Sequence, residues 1–319
     1  MIDGRAGGSR VRTVFLGSGR FGSRSLEVLA GHPDVDLVGV VTAPARPTGR
    51  GARVASTPIE TAARSFLVDA ILTPERLRAS DSIAAVEAVR PDLVVLADYG
   101  QIVPAALLEL RHGALNLHPS LLPRHRGAIP VPAAILAGDT ETGVSLMRMD
   151  AGLDTGPLIA QRRVHLRGDE VAPDLEAALA VVAADLLATS LGPWLRGEIS
   201  ATPQPTDGVT LTRPLRREDG RMRSARSAAD LERQVRAYQP WPGSFIDTTA
   251  GRIVVWRAGV GPAADERPPG TFGPSGLATA DGELVLHEVQ PAGGERMAWG
   301  AFLRGRPGIV GSAALASKP

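Results

Sequence analysis

The sequence predicts an α/β protein. Its first part is a Rossmann-like, open, parallel-rich sheet with helices on both faces, and a smaller OB-like β-barrel domain follows. Three observations predict it. Short, continuous apolar runs alternate with amphipathic segments up to about residue 195, the pattern of strands covered on both faces. Near residue 200 the chain turns to Pro, Thr, Asp and Gly. Beyond that lie one helical segment and several short β-rich runs between Gly and Pro turns.

The elements follow in order. Val11 to Leu16 is a β-rich run entering Gly17, and a helical segment covers Phe21 to Ala30. Leu37–Thr42 and Leu93–Ala97 are further buried strands, with helical patterns over Ile59–Ser65 and Ile83–Val89 between them. Ala114–His118 is a strand whose end faces the ligand side of an open sheet. Val144–Met149 and Leu158–Val164 continue the sheet, and Val171–Leu195 is a long helix. In the second part a helix covers Ala228–Tyr238. Strands are expected near Ser244–Asp247, Arg252–Ala258, Gly276–Thr279 and Leu284–Gln290. The resulting division is a mobile tail over 1–10, a first domain over 11–198, a linker over 199–212 and the OB-like domain over 213–319.

Composition excludes several classes. With 319 residues, 44% of them hydrophobic, the chain can fill two cores. No run reads as a bilayer span, and residues 1–10 lack the apolar segment of a secretory signal. Zero cysteines rule out disulfides, a thiol nucleophile and cysteine metal ligands, which fits the cytoplasm. No His/Asp/Glu spacing points to a metal. Residues 1–208 hold 20 Arg against 23 acids, and residues 209–319 hold 15 basic against 11 acidic groups. The basic half, with eight arginines against four acids in 213–236, suits an anionic macromolecular partner. Almost all the cations are Arg, however, a bias that genome composition also produces.

The candidate chemistry lies in Leu115–Gly127 (LNLHPSLLPRHRG) and Gly152–Gly156 (GLDTG). Asn116 and His118, two apart in a strand, point the same way. Asp154 on a glycine-flanked turn can complete the group. An amide donor, an imidazole and a carboxylate suit acyl transfer to an amine. No Ser or Cys stands where a covalent nucleophile would be needed, so transfer is direct. His125 is a surface or substrate-side residue, and His112 and His165 have no partner at ligand spacing. Gly17–Gly22 (GSGRFG) matches a dinucleotide fingerprint. The second strand ends in Thr42-Ala43-Pro44 without the acid that would bind a ribose. The segment is therefore read as a tight turn rather than an NAD site.

Asn-x-His-x-Ser-Leu-Leu-Pro-x-x-Arg-Gly followed by Gly-Leu-Asp-Thr-Gly resembles the folate-dependent formyltransferases, and the likeness extends from about Val11 to Pro307. It implies a formyl donor, 10-formyltetrahydrofolate, used as cosubstrate without a metal. Tyr99, Gly100, Gln101, Ile102 and Val103, with Ser120, Leu121, Leu122 and Pro123, would bind the folate. Asn116 would donate to the oxyanion, protonated His118 would add charge and pass a proton to the leaving nitrogen, and Asp154 would orient the ring. Alone, Ala43–Arg53 (APARPTGRGAR) is a solvated loop. It resembles the Arg-Pro-x-Gly-Arg-Gly loop of the methionyl-tRNA branch, which implies that Arg46, Arg50 and Arg53 meet tRNA. Leu231–Pro242 and Val289–Gly293 resemble that branch's C-terminal domain, implying initiator methionyl-tRNA as partner, with Arg216 and Arg217 among the contacts. Asp98, Val131-Pro132 and Arg223-Ser224 depart from the pattern. Amino-sugar nucleotide formyltransferases share the first half and are the competing reading. A formyl-donor hydrolase and a catalytically silent RNA-binding protein of this fold are further alternatives.

Overall fold

The computed structural model describes residues 10–48, 53–262 and 267–315. The tail expected at 1–10 lies outside them apart from Arg10. The chain divides into two compact units: Met1–Pro130, Glu141–His165 and Glu176–Thr212 form the first, and Val131–Thr140, Leu166–Leu175 and Arg213–Pro319 the second. A single boundary near residue 200 was expected. Instead, two short inner segments of the chain group with the second unit.

The first unit is built on a seven-stranded sheet. Its strands are β1 (Val11–Leu16), β2 (Val35–Val41), β3 (Ile71–Leu72), β4 (Leu93–Leu96), β5 (Ala114–His118), β6 (Glu141–Arg148) and β7 (Leu158–His165). Their order is β7-β6-β5-β4-β1-β2-β3. β1 to β5 run parallel, and β6 and β7 are antiparallel. Helices α1 (Ser23–Gly31), α2 (Pro58–Ser65), α3 (Ser80–Ala88) and α4 (Ala105–Leu108) lie between the parallel strands. Alternation along the strands sorts the core into two faces. Val14, Leu16, Val94 and Leu96 share one cluster with Val86 of α3 and Leu107 of α4. Phe15 and Val95, also fully buried, point the other way. All four residues of β4 are buried, as a strand covered on both faces requires.

Local chemistry fixes the ends. Thr57 Oγ1 accepts the Glu60 N–H at 3.0 Å, Pro58 opens α2, and Glu60 pairs with Arg64 one turn later. The Gly17–Gly22 turn needs glycine for packing: a Cβ on Gly17 or Gly22 would lie 2.7 or 2.8 Å from the Ala97 carbonyl, and one on Gly19 would strike the Asp98 carboxylate. Strand order reverses at β1, and the ends of β1 and β4 are where open sheets of this kind bind their ligands.

Helices α5 (Pro130–Ala137) and α6 (Ala172–Leu195) follow. No membrane-length run was expected, yet α6 is 24 residues long and contains an 18-residue window with a mean hydropathy of 1.6. Its buried positions Leu175, Leu179, Ala183, Leu186, Leu187 and Leu191 form the stripe of a helix packed on protein, and Asp174 and Asp185 stay outside.

The second unit carries α7 (Ala228–Ala237), α8 (Trp299–Gly305) and a five-stranded antiparallel sheet. The strands are β8 (Ser244–Thr248), β9 (Gly251–Gly261), β10 (Gly276–Ala278), β11 (Glu283–Pro291) and β12 (Met297–Ala298). Their order is β8-β9-β11-β10, with β12 on β11, an antiparallel half-barrel. Leu231 and Val235 of α7 close one core with Ile253, Val255, Leu284 and Val289. Within that core Trp299 stacks between Phe272 and Phe302, at centroid distances of 6.0 and 5.3 Å.

Phe272 is fully buried. Phe272→Ala is expected to lower the stability of the second unit by about 3–5 kcal/mol, measured by denaturant unfolding. A loss below about 1 kcal/mol would mean that the cluster collapses around the gap.

Candidate active site

β5 brings Asn116 and His118 to one place because two residues of a strand span one pleat. Both are buried, at 7% and 5% exposure, although both are polar. Their partner is Asp154, on the turn between β6 and β7. Asn116 Nδ2 donates to Asp154 Oδ1 at 3.3 Å, the Gly127 N–H donates to Asp154 Oδ2 at 2.7 Å, and His118 Nδ1 lies 3.7 Å from that same Oδ2. Asp154 has φ +51°, the left-handed region that residues with a side chain seldom enter.

The imidazole is oriented from its other side. His118 Nε2 lies 2.9 Å from the carbonyl of His125, which can only accept, so the proton sits on Nε2. Nδ1 is left as the basic atom, facing the carboxylate at a distance too long for a hydrogen bond. Burial lowers the His118 pKa below its ordinary 6.5, although Asp154 and the His125 carbonyl pull it upward. Burial thus favours the neutral ring at rest, and the charged form expected from the sequence belongs to the reaction itself.

The surrounding loops are held by a segment that the sequence presented as a linker. Residues 202–212 belong to the first unit and strap it. Thr202 bridges Leu158, and Leu211–Thr212 pair with Arg126–Gly127. The His125 N–H donates to Thr210 Oγ1 at 2.7 Å, and Thr212 Oγ1 donates to the Arg126 carbonyl at 3.0 Å. Gly127 has φ +106°, and a Cβ there would sit 2.3 Å from the Thr212 carbonyl. Gln204 joins the Asp154 turn to the Arg126 side chain. Neither Gln204 nor Thr210 was singled out from the sequence; a Pro/Thr-rich stretch gives no periodic signal to mark them.

Tyr99–Val103 and Ser120–Pro123 follow the adjacent parallel strands β4 and β5, so both expected folate loops lie at the same end of the sheet. Their side chains differ in what they offer. Ile102 is 69% exposed, and the Tyr99 hydroxyl is buried with no partner among the described residues. The Tyr99 ring packs against the core cluster of Leu16, Val94 and Leu96, so its hydroxyl lies within the protein. Val103 is buried, and Gly100 presents only backbone. The Gln101 amide is taken by the Leu77 N–H and the Pro74 carbonyl. Ser120 is fully buried with its hydroxyl on the Arg124 carbonyl, and Leu122 and Pro123 are buried too. This loop can therefore meet a ligand by its backbone and by the half-buried Leu121. Asp98 lies against Gly19 at φ +56°; it still meets solvent, but the surrounding protein raises its pKa. Glu176 is raised by burial and by Asp98.

Of the expected RNA contacts, Arg46 is exposed and 3.6 Å from Glu75. Arg46–Thr48 pair antiparallel with Arg53–Ala55. Arg50 lies outside the described residues, as does the side chain of Arg53. Arg216 and Arg217 are exposed at the start of a short 3-10 turn, Arg217–Gly220. Among the described residues no group of three His, Cys, Asp or Glu gathers as a metal site.

An amide, an imidazole and a carboxylate gathered at the end of a central strand are groups suited to acyl transfer. The Formyl transferase family matches residues 11–191, and its C-terminal domain matches residues 214–307. The chain belongs to the formyl transferase family. It is 41% identical over 310 residues to the methionyl-tRNA formyltransferase of Myxococcus xanthus, covering 95% of this chain and 98% of that one. It is 42% identical over 296 residues to the methionyl-tRNA formyltransferase of a Roseiflexus species, covering 89% of each. Two solved structures share its fold. The N-formyltransferase of Helicobacter canadensis, bound to folinic acid and dTDP-3-aminofucose, superposes with a TM-score of 0.63 at 16% identity, over 90% of this chain and 100% of that one. HypX of Aquifex aeolicus in complex with tetrahydrofolic acid gives 0.61 at 17% identity over 92% of this chain, which spans about half of HypX (47%).

With its folded pKa held below 6.5, neutral His118 contributes stability that is fully present above about pH 6.5 and is lost as pH falls through the lowered value. Imidazole NMR is expected to show a midpoint below 6.5, and Asp154→Asn should move it lower still by removing the upward pull. A midpoint above 6.5 in the unsubstituted protein would contradict the burial.

Proposed function

We propose that the protein transfers the formyl group of 10-formyltetrahydrofolate to the α-amine of initiator methionyl-tRNA, giving formylmethionyl-tRNA for translation initiation. The observation that carries this reading is the convergence of Asn116, His118 and Asp154 on one buried polar point, in a chain 41% identical to a methionyl-tRNA formyltransferase over nearly its full length. A cytoplasmic location goes with it. Residues 11–212 would form the catalytic part and 213–319 the RNA-binding part.

The donor supplies a formyl carbon that the amine attacks, and the carbon bond to the folate nitrogen breaks. The chain's residues then have distinct tasks. Asn116 has one amide hydrogen on Asp154 and keeps the other for the formyl oxygen as it becomes negative. His118, neutral with Nδ1 free, accepts the proton released by the attacking amine and returns it to the departing nitrogen. Asp154 balances the imidazolium between those two transfers. Tyr99–Val103 and Ser120–Pro123 would hold the folate, by backbone contacts and the Ile102 side chain. Arg46, Arg50, Arg53, Arg216 and Arg217 would meet tRNA phosphates, since guanidinium forks match phosphate oxygens.

Formyl transfer should be assayed in parallel on charged initiator tRNA and on amino-sugar nucleotides. Activity on the tRNA alone supports the reading. Activity confined to an amino sugar would replace it with that of the Helicobacter canadensis N-formyltransferase, whose fold it shares. Asn116→Ala, His118→Ala and Asp154→Ala should each lower turnover by on the order of a hundredfold or more with folding retained. Near-normal turnover would remove these residues from the chemistry. Affinity for the tRNA should fall steeply with salt, roughly in proportion to the phosphates contacted; a flat dependence would rule out the arginine contacts.

A further inference from the structure

We propose that Gln204 is a positioning residue for Asp154, acting through a closed hydrogen-bonded circuit with Arg126. The proposal rests on the formyl-transfer reading of the site. Asp154 keeps a left-handed backbone, φ +51°, while its carboxylate serves Asn116, His118 and Gly127. Such a backbone persists only where its surroundings impose it. Gln204 imposes it from the strap. Its amide nitrogen donates to the carbonyls of Asp154 and Gly156, both at 2.8 Å, so the two carbonyls flanking Thr155 are pinned by one group. Its oxygen accepts two N–H groups of Arg126, at 3.2 Å from Nε and 2.7 Å from the terminal nitrogen. Arg126 precedes Gly127, whose N–H lies on the Asp154 carboxylate. The circuit thus runs from the Asp154 carboxylate through Gly127, Arg126 and Gln204 back to the Asp154 backbone.

Only a primary amide can fill the position. It must give two hydrogens and accept two in the same place, which glutamine does and neither a carboxylate nor an apolar chain of the same length can do. An ionised carboxylate introduced by Gln204→Glu would repel both carbonyls. The thioether introduced by Gln204→Met would leave them and Arg126 without partners. Either change frees the Asp154 turn to relax, and a misplacement of about 1 Å at a reacting group is enough to slow a reaction by roughly a hundredfold. Gln204 makes no direct bond to Asn116 or His118 among the described residues, so its effect has to travel through Asp154.

The test uses the full chain with Gln204→Met and Gln204→Glu, alone and combined with Asp154→Asn. Gln204→Met is expected to lower kcat roughly ten- to a hundredfold while KM for the acceptor changes little. In the Asp154→Asn background the same substitution should cost less than about twofold, because the group it positions is already gone. A full loss in both backgrounds, or no loss in either, overturns the proposal. Gln204→Glu gives a readout that a general packing role would not move. Once protonated, the introduced carboxyl can donate again, so the turnover ratio of Gln204→Glu to Gln204→Met should rise as pH falls; a flat ratio overturns the proposal. An unsubstituted chain that formylates no acceptor would end the formyl-transfer reading, and the positioning claim would then stand on the Gly127 amide. Its hydrogen exchange should quicken in Gln204→Glu and Gln204→Met at unchanged global stability, and unchanged protection overturns the claim by itself.

Discussion

A single carboxylate, that of Asp154, is the constraint around which the candidate site is arranged. It accepts from a side chain on the central strand and from the backbone of the following loop, and it lies beside a buried imidazole. In a low-dielectric interior such a group has to be compensated, and amide hydrogens and a titrating ring supply that compensation. Everything nearby can be read as a means of keeping this anion in place without satisfying it so completely that it stops responding to a proton on His118. The 3.7 Å separation from Nδ1 leaves that response available.

The sheet explains why these groups can meet. Parallel strands β4 and β5 end side by side, so the loops that follow them share an edge. The switch to antiparallel pairing at β6 and β7 has a second effect: it creates a hairpin whose turn can reach back over β5. An all-parallel continuation would have sent the chain through another crossover instead. The carboxylate therefore comes from a hairpin turn, and the amide and imidazole from the strand beside it.

Much of this was legible in the sequence, and the limits have physical causes. Asn116 and His118 could be paired because strand periodicity is strict, and Asp154 stood out on its glycine-flanked turn. β3 has only two residues, too few to carry a pattern. The glycines of 17–22 fit a nucleotide fingerprint, yet close packing of backbone and ring atoms accounts for them. Ser120 and Leu122 carry a recognisable motif but turn their side chains into the protein, which spacing alone does not reveal. The charge state of His118 depended on burial, which no string of letters states. Gln204 was invisible for a different reason: it lies 50 residues from the turn it bonds, in a stretch whose composition imitates a connector.

That last feature changes where the catalytic half can be cut. The Pro/Thr/Asp/Gly stretch looks like a hinge at which a module could be excised or grafted, and a truncation near residue 198 would follow the composition faithfully. It would also discard the short strand that lies along the 123–129 loop, together with the partners of His125, Arg126 and the Asp154 turn. Any excised form that keeps these partners therefore extends at least through Thr212, and it carries with it the inner segments 131–140 and 166–175 that group with the second unit. A crossover placed after the strap keeps the site's bonds, and one placed before it removes them.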